Sequence, residues 1–414
     1  MSEVPEICRR ARAAARALAP LSTAEKDKGL EKIAAGLLRD RAHVLGENAA
    51  DVEAAAARGT AAAMLDRLRL DDARLEAMAR AVDEVRGLRD PVGDVVEERA
   101  RPSGISVKRV RVPIGVVAMV YEARPNVTAE ASALTLKAGN AVVLRGGSEA
   151  ARSNAAIGGI ITRALAEAGL PEAAVSIVSP ADRDDVRVLV QQVDHVDLVI
   201  PRGGESLIRF VTENARVPVV QHYRGVCHLF VERGADPALA ARVVVNAKLS
   251  RPSACNALEC LLVDAADAER LLPPIAAELT LGGCELRGCE RTLALVPAAK
   301  PAAEDDWGRE FLAKILAVRI VEGLDGALAH VARHGSGHTE AIVTPHAASA
   351  ARFRAEVDAA CVVVNASTRF HDGGELGLGA EIGIATSRLH WRGPMGLEAL
   401  TTMKWIVDGD GQIR

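Results

Sequence analysis

Cys255 lies where one predicted element ends and another begins. The helix-like run 239–249 stops before Arg251-Pro252, and an apolar run over 257–263 follows the cysteine and predicts a strand. A thiol at such a break has backbone N–H groups and solvent nearby, which are the two features that a thiolate nucleophile needs. Free cysteine is also among the most buried residue types, so a small buried side chain is the competing interpretation. The residues alone leave both open.

Two glycine turns have the form of phosphate-binding sites. Arg145-Gly-Gly-Ser148 follows a strand-like run at 141–144, and Pro201-Arg-Gly-Gly-Glu-Ser206 follows another at 196–200. Glycines between a strand and a helix let backbone N–H groups approach a phosphate, and Arg145 adds positive charge. Neither turn has the G-x-G-x-x-G spacing, and tight turns ordinarily need glycine. A purely structural turn therefore stays open at both places.

The elements that must position these residues alternate between α and β. Residues 5–88 predict several helices, and 95–112 predict a hairpin with two polar faces. Strand-like runs then alternate with helical patterns, which predicts two doubly wound α/β lobes with parallel sheets and a ligand between them. The strand candidates are 116–121, 141–144, 175–178, 196–200 and 217–220, followed by 228–231, 257–263, 315–321, 341–344 and 361–364.

Composition excludes several classes of protein. The chain has 414 residues, a formal net charge of −4 and no apolar run long enough for a membrane span, so we expect neither a nucleic-acid partner nor a membrane. The first residues lack the pattern of a signal peptide. Seven cysteines, an odd number in a long chain, favour reduced thiols in the cytoplasm.

Five sequence blocks, in this order, resemble the aldehyde dehydrogenase superfamily. The resemblance extends from about residue 5 to the end of the chain, and it is closest to the branch that reduces L-glutamyl 5-phosphate. It implies an aldehyde-dehydrogenase-like fold with a β-ribbon that joins subunits. The blocks are Pro113–Thr128, Arg251–Glu259, Gly335–Ile342, Asn365–Gly383 and Leu389–Glu398.

The resemblance implies a covalent mechanism at Cys255. Its thiolate attacks the γ-carbonyl of L-glutamyl 5-phosphate and expels phosphate, and hydride transfer to the thioester then leads to L-glutamate 5-semialdehyde. The oxyanion needs donors, and one well-placed donor is worth about 3 kcal/mol. The candidates are the backbone N–H of Cys255 and the side chain of Asn126, although an asparagine after Pro125 is also typical of a turn.

One departure from the wider superfamily concerns His222. Hydrolytic members have a water-activating glutamate near this place, and the chain has Gln221-His222-Tyr223 instead. Without that base, a thioester is protected from hydrolysis, which agrees with an acyl-phosphate reductase. His222 is a candidate to help form the thiolate, and a structural histidine is an equal alternative.

The cofactor contacts are also implied by the resemblance. Arg145 takes the place of a lysine that contacts the adenosine ribose, and Ser148 stands where many NAD enzymes have an acid, so NADPH is expected. Two glycines would let the backbone approach the pyrophosphate, and Glu310 would hold the nicotinamide ribose. The cofactor-binding candidates are therefore Arg145, Gly146, Ser148, Gly203, Gly204 and Glu310.

The substrate side is assigned to the blocks around Arg251 and Gly335–Ile342, and no metal is expected. His330 and His334 are four apart, but Gly335 and Gly337 break the helix before a third histidine, so a zinc face would not persist. The substrate-binding candidates are Arg251, His338, Thr339 and Glu340.

The expected domains follow the same resemblance. The assignments are 1–94 and 113–224 for cofactor binding, with part of 366–400 packing back on them, 225–365 for catalysis, and 95–112 with 401–414 as an oligomerisation ribbon. We expect a homo-oligomer with transient contact to glutamate 5-kinase. The alternatives are a CoA-acylating aldehyde dehydrogenase and a catalytically silent partner of that kinase, which the retained Cys255 and Asn126 disfavour.

Overall fold

The chain divides into two compact units. The computed structural model describes residues 2–180, 182, 184–221 and 223–414. The first unit comprises residues 1–221, 377–383 and 395–414, and the second comprises 222–376 and 384–394. No helix in these described ranges has the length and apolar character needed to cross a membrane.

The first unit begins with helices and continues as an α/β series. Ser22 and Glu25 form a reciprocal capping box at the start of its second helix, which fixes where that helix begins. The elements are α1 (Val4–Leu18), α2 (Thr23–Arg39), α3 (Arg41–Ala57), α4 (Ala62–Leu68), α5 (Asp72–Gly87), β1 (Val95–Ala100), β2 (Ser106–Pro113), β3 (Val116–Tyr121), α6 (Pro125–Lys137), β4 (Ala141–Arg145), α7 (Ala151–Ala168), β5 (Val175–Ile177), α8 (Asp184–Val190), β6 (Leu198–Arg202) and α9 (Glu205–Asn214).

A parallel sheet in the order β5-β4-β3-β6 forms the core of the first unit. All residues of β3 and β4 are buried, as expected for strands that read as continuous apolar runs. The predicted strand 217–220 is wrong, because in the described structure Val219 makes one isolated bridge to Val199. The run is apolar, but within the described residues it does not form a continuous hydrogen-bond ladder with a neighbouring strand.

The second unit repeats the α/β pattern, and the chain then returns to the first unit. Its first helix starts with Asp236, whose side chain accepts a hydrogen bond from Ala238 N, and with Pro237 in the first turn. The elements are β7 (Cys227–Val231), α10 (Pro237–Leu249), β8 (Leu258–Asp264), α11 (Ala268–Leu281), β9 (Glu285–Gly288), α12 (Glu290–Leu295), β10 (Lys300–Pro301), β11 (Ile315–Val321), α13 (Gly323–His334), β12 (Thr339–Val343), α14 (Ala347–Glu356), β13 (Cys361–Val364), β14 (Ile384–Ala385), β15 (Gly393–Pro394) and, in the first unit, β16 (Thr401–Asp408).

A parallel sheet in the order β10-β9-β11-β8-β7-β12-β13 forms the core of the second unit, and every residue of its strands β7, β8 and β12 is buried. Along β8, Leu261 and Val263 pack into one apolar cluster with residues of α10 and α11. The alternating residues Cys260 and Leu262 pack into a second cluster, which includes Phe353 of α14. The described units thus confirm the predicted fold class of parallel sheets covered by helices, together with antiparallel strands.

The antiparallel strands form a sheet in the order β1-β2-β16. β16 pairs with β2 along its whole length, from Thr401 opposite Pro113 to Asp408 opposite Ser106. The side chains of Trp405 and Val407 are 55% and 58% exposed. This sheet therefore presents apolar side chains to solvent in the isolated chain. Short 3₁₀ helices lie at Ser148–Ala150, Glu172–Ala174, Ala265–Asp267, Glu304–Gly308, Thr368–Phe370 and Glu398–Leu400.

Candidate active site

Cys255 lies half-buried in the turn between α10 and β8. Backbone hydrogen bonds of 3.1 Å from Ala254 N to Arg251 O and 3.0 Å from Ala257 N to Ala254 O hold this turn. Gly225 packs directly on it, since a Cβ at Gly225 would lie 2.1 Å from the Cys255 carbonyl oxygen. Only glycine permits this approach of two backbones. The side chain of Arg251 is exposed beside the turn.

Asn256 anchors the turn directly after the cysteine. Its side-chain amide donates a 2.9 Å hydrogen bond to the carbonyl of His371, and its own carbonyl accepts a 2.7 Å bond from the hydroxyl of Thr368. Asn256 is 3% exposed. The residue next to Cys255 is thus fixed at both its side chain and its backbone, and Asn256 was not among the residues predicted for the site.

A row of buried polar side chains continues from Cys255. The thiol of Cys227 donates to the carbonyl of Cys255 (3.3 Å) and lies 3.7 Å from His338 Nδ1. The hydroxyl of Thr339 lies 2.7 Å from His338 Nδ1 and 2.7 Å from His371 Nδ1. Burial raises the pKa of Cys227 well above its usual value and lowers that of His371 to about 4, so both are neutral at pH 7. The structure thus brings His338 and Thr339 to the Cys255 turn.

An ion pair closes the loop that carries Cys255. Lys248 at the end of α10 and Glu259 at the start of β8 are fully buried, and their Nζ and Oε2 atoms are 2.6 Å apart. The other oxygen of Glu259 accepts a 3.1 Å bond from Leu312 N. Burial raises the pKa of Glu259 to about 7 against the opposing effect of Lys248, and the charge of Glu310 adds to the rise. Glu310 therefore lies within electrostatic reach of this pair.

Glu340, a predicted substrate contact, is bound to His228. Its Oε2 accepts 3.0 Å hydrogen bonds from the backbone N and from Nδ1 of His228, and both side chains are 1% exposed. Burial opposes a charge on His228, but the Glu340 carboxylate outweighs it and raises the pKa of His228 to about 10. In this geometry Glu340 orients an imidazole, and its contact with a substrate stays a prediction.

In the first unit, Asn126 lies in the first turn of α6 and lines a small open cleft. Its amide donates a 2.9 Å hydrogen bond to Oε1 of Glu130, one turn further along the helix. Burial raises the pKa of Glu130, and the bond from Asn126 opposes that rise. Arg124, Arg202 and Glu381 line the same cleft. Sequence reasoning missed Glu130, although its spacing of four from Asn126 on a predicted helix was a usable signal.

Arg145 ends β4 and is 8% exposed. Its guanidinium donates to the carbonyl oxygens of Gly146 (3.0 Å) and Asp182 (3.2 Å). A Cβ at Gly146 would lie 2.2 Å from Asn154 Nδ2, so the position accepts only glycine without rearrangement. The turn after β4 is therefore tightly packed, with Arg145 held by backbone oxygens.

Three other cofactor candidates, Ser148, Gly203 and Gly204, are exposed, and Glu310 is half-buried. Ser148 opens the 3₁₀ turn after β4, and Gly203 and Gly204 lie between β6 and α9. Gly204 N donates a 2.9 Å hydrogen bond to the carboxylate of Glu122, and a Cβ at Gly203 would lie 2.7 Å from that same carboxylate. A phosphate at these N–H groups would require Glu122 to turn away, because the two anions would repel each other. Glu122 was not among the predicted residues.

One predicted residue, His222, lies outside the described residues. The remaining candidates fall into two groups. Those in the first unit are Asn126, Arg145, Gly146, Ser148, Gly203 and Gly204, and those in the second are Arg251, Cys255, Glu310, His338, Thr339 and Glu340.

Known proteins match this chain along its whole length. A model of the aldehyde dehydrogenase family matches residues 1–282. A γ-glutamyl phosphate reductase from Sorangium cellulosum is 58% identical over 413 residues, which cover 99% of this chain and 97% of that protein. One from Xanthomonas axonopodis pv. citri is 56% identical over 403 residues, 97% of each chain. The crystal structure of γ-glutamyl phosphate reductase from Thermotoga maritima has a TM-score of 0.98 at 46% identity and covers all of both chains.

Fold, family model and relatives agree on the class of protein. The chain belongs to the aldehyde dehydrogenase family and, within it, to the γ-glutamyl phosphate reductases. It is an oxidoreductase, and the predicted resemblance is confirmed. Acylating aldehyde dehydrogenases, such as one from Geobacillus thermoglucosidasius with a TM-score of 0.71, share the fold at 17% identity.

Proposed function

We propose that this protein reduces L-glutamyl 5-phosphate to L-glutamate 5-semialdehyde with NADPH and releases phosphate. In this role it catalyses the second step of proline biosynthesis from glutamate, in the cytoplasm. The observation that carries the proposal is the end-to-end identity of 46–58% with proteins named γ-glutamyl phosphate reductase.

Cys255 is the nucleophile in this proposal. Its sulfur forms a bond to the γ-carbonyl carbon, the bond to the phosphate oxygen breaks, and phosphate leaves with the electron pair. The fixed turn supports this role because a nucleophile must be held close to the reacting carbon and in the correct orientation. Asn256 and the Lys248–Glu259 ion pair supply that rigidity from either side of Cys255.

Asn126 is proposed to stabilise the oxyanion. Its side chain lies in the first turn of α6, and its amide is oriented by Glu130. A carboxylate that accepts one N–H of an amide fixes the direction of the other N–H, and a preorganised donor needs no reorganisation during the reaction. The backbone N–H of Cys255 is the second proposed donor.

Aldehyde dehydrogenases use nicotinamide cofactors, and this chain's residues fit one. When bound, NADPH supplies the hydride that reduces the thioester. Gly203 and Gly204 precede the ten-residue helix α9, whose N-terminal N–H groups suit a pyrophosphate once Glu122 moves. Arg145 is the proposed contact of the 2′-phosphate, and Glu310 that of the nicotinamide ribose.

The sequence at His222 supports reduction over hydrolysis. A histidine at that position replaces a strong carboxylate base, so water is not activated against the thioester. We place the substrate's glutamate portion near Arg251, His338 and Thr339. Of these, His338 and Thr339 belong to the buried polar row that reaches the Cys255 turn.

Subunit assembly through the sheet β1-β2-β16 completes the proposal. Its edge strands carry unpaired backbone groups, and Trp405 and Val407 are more than half exposed. A second copy of this chain would cover both the unpaired backbone groups and these two exposed side chains. A transient contact with glutamate 5-kinase would pass the labile acyl phosphate directly between the two active sites.

The reverse reaction tests the activity. Purified protein is mixed with L-glutamate 5-semialdehyde and NADP⁺, and NADPH formation is followed with phosphate, with CoA in its place, or with neither. The proposal expects reduction of NADP⁺ that depends on phosphate. Dependence on CoA would identify an acylating aldehyde dehydrogenase, and no reduction under any condition would identify a catalytically silent protein.

A further inference from the structure

A buried triad of soft ligands lies in the core of the second unit. Within the described ranges, His228 of β7, Cys260 of β8 and His330 of α13 bring one ligand atom each within 4.8 Å of one another. They are 1%, 0% and 5% exposed. The three residues come from separate elements, so the fold brings them together and their spacing in the sequence does not predict the cluster.

His228 is oriented as metal-bound histidines are. Its Nδ1 is held 3.0 Å from the carboxylate of Glu340, while its Nε2 is buried and has no hydrogen-bond partner among the described residues. Metal-ligating histidines commonly donate their other ring N–H to a carboxylate, which fixes the tautomer and the ring orientation. An orphaned buried nitrogen also costs free energy, which a bound ion would recover.

The distances suit a small cation after slight contraction. Cys260 Sγ lies 3.6 Å from His330 Nε2. A triangle with no side above 4.8 Å fits within a circle of radius 4.8/√3, about 2.8 Å, and zinc bonds are about 2.3 Å to sulfur and 2.0–2.1 Å to nitrogen. A shift of about 0.5 Å for the sulfur and about 0.7 Å for each nitrogen would therefore complete the site.

We propose that His228, Cys260 and His330 bind a thiophilic d¹⁰ cation, Zn²⁺ or Cu⁺. One thiolate and two imidazoles select such ions, whereas Mg²⁺ and Ca²⁺ need oxygen ligands. On binding, the thiol of Cys260 and the imidazolium of His228 each release one proton to solvent, and the sulfur and Nε2 form bonds to the ion with no change of oxidation state. The ion links β7, β8 and α13, so its role is to stabilise the second unit.

Arg319 disfavours binding of the ion. Its Nη1 lies 3.2 Å from His330 Nδ1, and this bond requires Nδ1 to be the acceptor, which leaves the ring proton on Nε2 facing Cys260. Loading the site therefore requires the proton to leave Nε2 and the Arg319 contact to loosen. The guanidinium also repels a cation. Removing that side chain should consequently tighten binding, which a purely structural cluster does not predict.

The test uses the full-length protein with Cys255→Ser as background, so that the candidate nucleophile cannot bind the ion. Reduced protein is stripped with a chelator, given excess Zn²⁺ or, anaerobically, Cu⁺, desalted, and analysed for metal content. We expect about one equivalent retained, its loss in Cys260→Ser, and its retention in Cys284→Ser, where another buried thiol is removed. Co²⁺ should give thiolate charge-transfer absorption that Cys260→Ser abolishes.

Thermal unfolding supplies a second readout. Added ion should raise the melting temperature of the background protein and leave that of the Cys260→Ser form unchanged. Arg319→Met should bind at least several-fold more tightly, and His334→Gln, next to the triad but outside it, should bind as the background does. If Cys260→Ser does not fold, His330→Gln replaces it. Failure to retain either ion, or equal retention with and without Cys260, would overturn the site.

Discussion

The side-chain amide of Asn256 donates a 2.9 Å hydrogen bond to the backbone carbonyl of His371, 115 positions later in the chain. Because Asn256 follows Cys255 directly, this bond makes the position of the candidate nucleophile depend on the segment after β13. Thr368 reinforces the link by donating to the carbonyl of Asn256. The turn is thus held by a distant part of the same unit, and its geometry is testable by mutation.

Replacing Asn256 with Ala should lower kcat by roughly tenfold to a hundredfold, because small misplacement of a reacting group is costly. NADPH binding should change little, since the turn lies in the second unit. The measurement is steady-state kinetics together with cofactor titration. Asn48→Ala removes a similarly buried asparagine from the first unit and should reduce stability with kcat preserved. Equal losses of kcat in both variants would remove the positioning role of Asn256.

Replacing Cys255 with Ser should abolish turnover while folding and NADPH binding are kept. A serine hydroxyl is a far weaker nucleophile, and the half-buried turn has room for the smaller atom. The measurement is the rate of phosphate-dependent NADP⁺ reduction by purified protein. Cys361→Ser, at another half-buried cysteine, is the control and should remain active. A Cys255→Ser rate above a few per cent of the parent would exclude the covalent mechanism.

The sequence predicted strands well where apolar runs were continuous. Ile315–Val321 and Cys361–Val364 have the predicted bounds. Both lie in a sheet covered by helices, where a strand is a nearly continuous apolar run and its ends coincide with the ends of that run. β9 (Glu285–Gly288) was missed, since its short run with two charged residues does not read as a buried strand. The run 217–220 failed for the opposite reason, because it is apolar but lacks a partner strand for more than one bridge.

The candidate site was predicted less completely than the fold. Cys255 could be proposed from its place at a break between elements, and the family resemblance strengthened that reading. The bond from Asn256 to His371 joins residues that no periodicity relates. Glu122, which accepts from Gly204 N, is likewise 82 positions away from its partner. Contacts between remote loops depend on the tertiary fold, so a single sequence cannot supply them.

Replacing Arg145 with Ala should weaken NADPH binding much more than NADH binding. A charge-assisted contact to a phosphate is worth about 1.5–3 kcal/mol, or roughly tenfold to a hundredfold in Kd. The measurement is titration of both cofactors against the parent protein and the variant. Arg145 also donates to the carbonyls of Gly146 and Asp182, so a structural role alone would weaken both cofactors equally. An equal loss would place the 2′-phosphate elsewhere.

Stability should fall as the pH drops from about 6.5 to 4, in part because of His371. Burial lowers its folded pKa to about 4, while an unfolded histidine titrates near 6.5. In this window the unfolded chain binds a proton that the folded protein does not bind. The free energy of unfolding therefore decreases by about 3 kcal/mol in total. Above pH 6.5 this histidine contributes no slope. The charge of Asp372 opposes the effect, and Thr339 contacts the ring.

Urea unfolding at several pH values measures this slope. His371→Gln keeps a polar partner for Thr339 but cannot titrate, so its stability should depend less on pH below 6.5 than that of the parent. His43→Gln replaces an exposed histidine and serves as the control, with an unchanged slope. Parallel curves for His371→Gln and the parent would show that His371 does not remain neutral in the folded protein.

Deleting residues 404–414 should convert the protein to a monomer and lower its melting temperature. The deletion removes most of β16, which pairs with β2 along its length, and leaves β2 beside β1 alone. A two-stranded ribbon is marginally stable in water, so both the sheet and any contact with a second copy should be lost. Trp405→Lys with Val407→Lys is the matched control, because it charges the exposed side chains while it keeps the backbone pairing. This variant should also sediment as a monomer, with less loss of stability than the deletion. Sedimentation of the unmodified protein as a monomer at micromolar concentration would contradict assembly through this sheet.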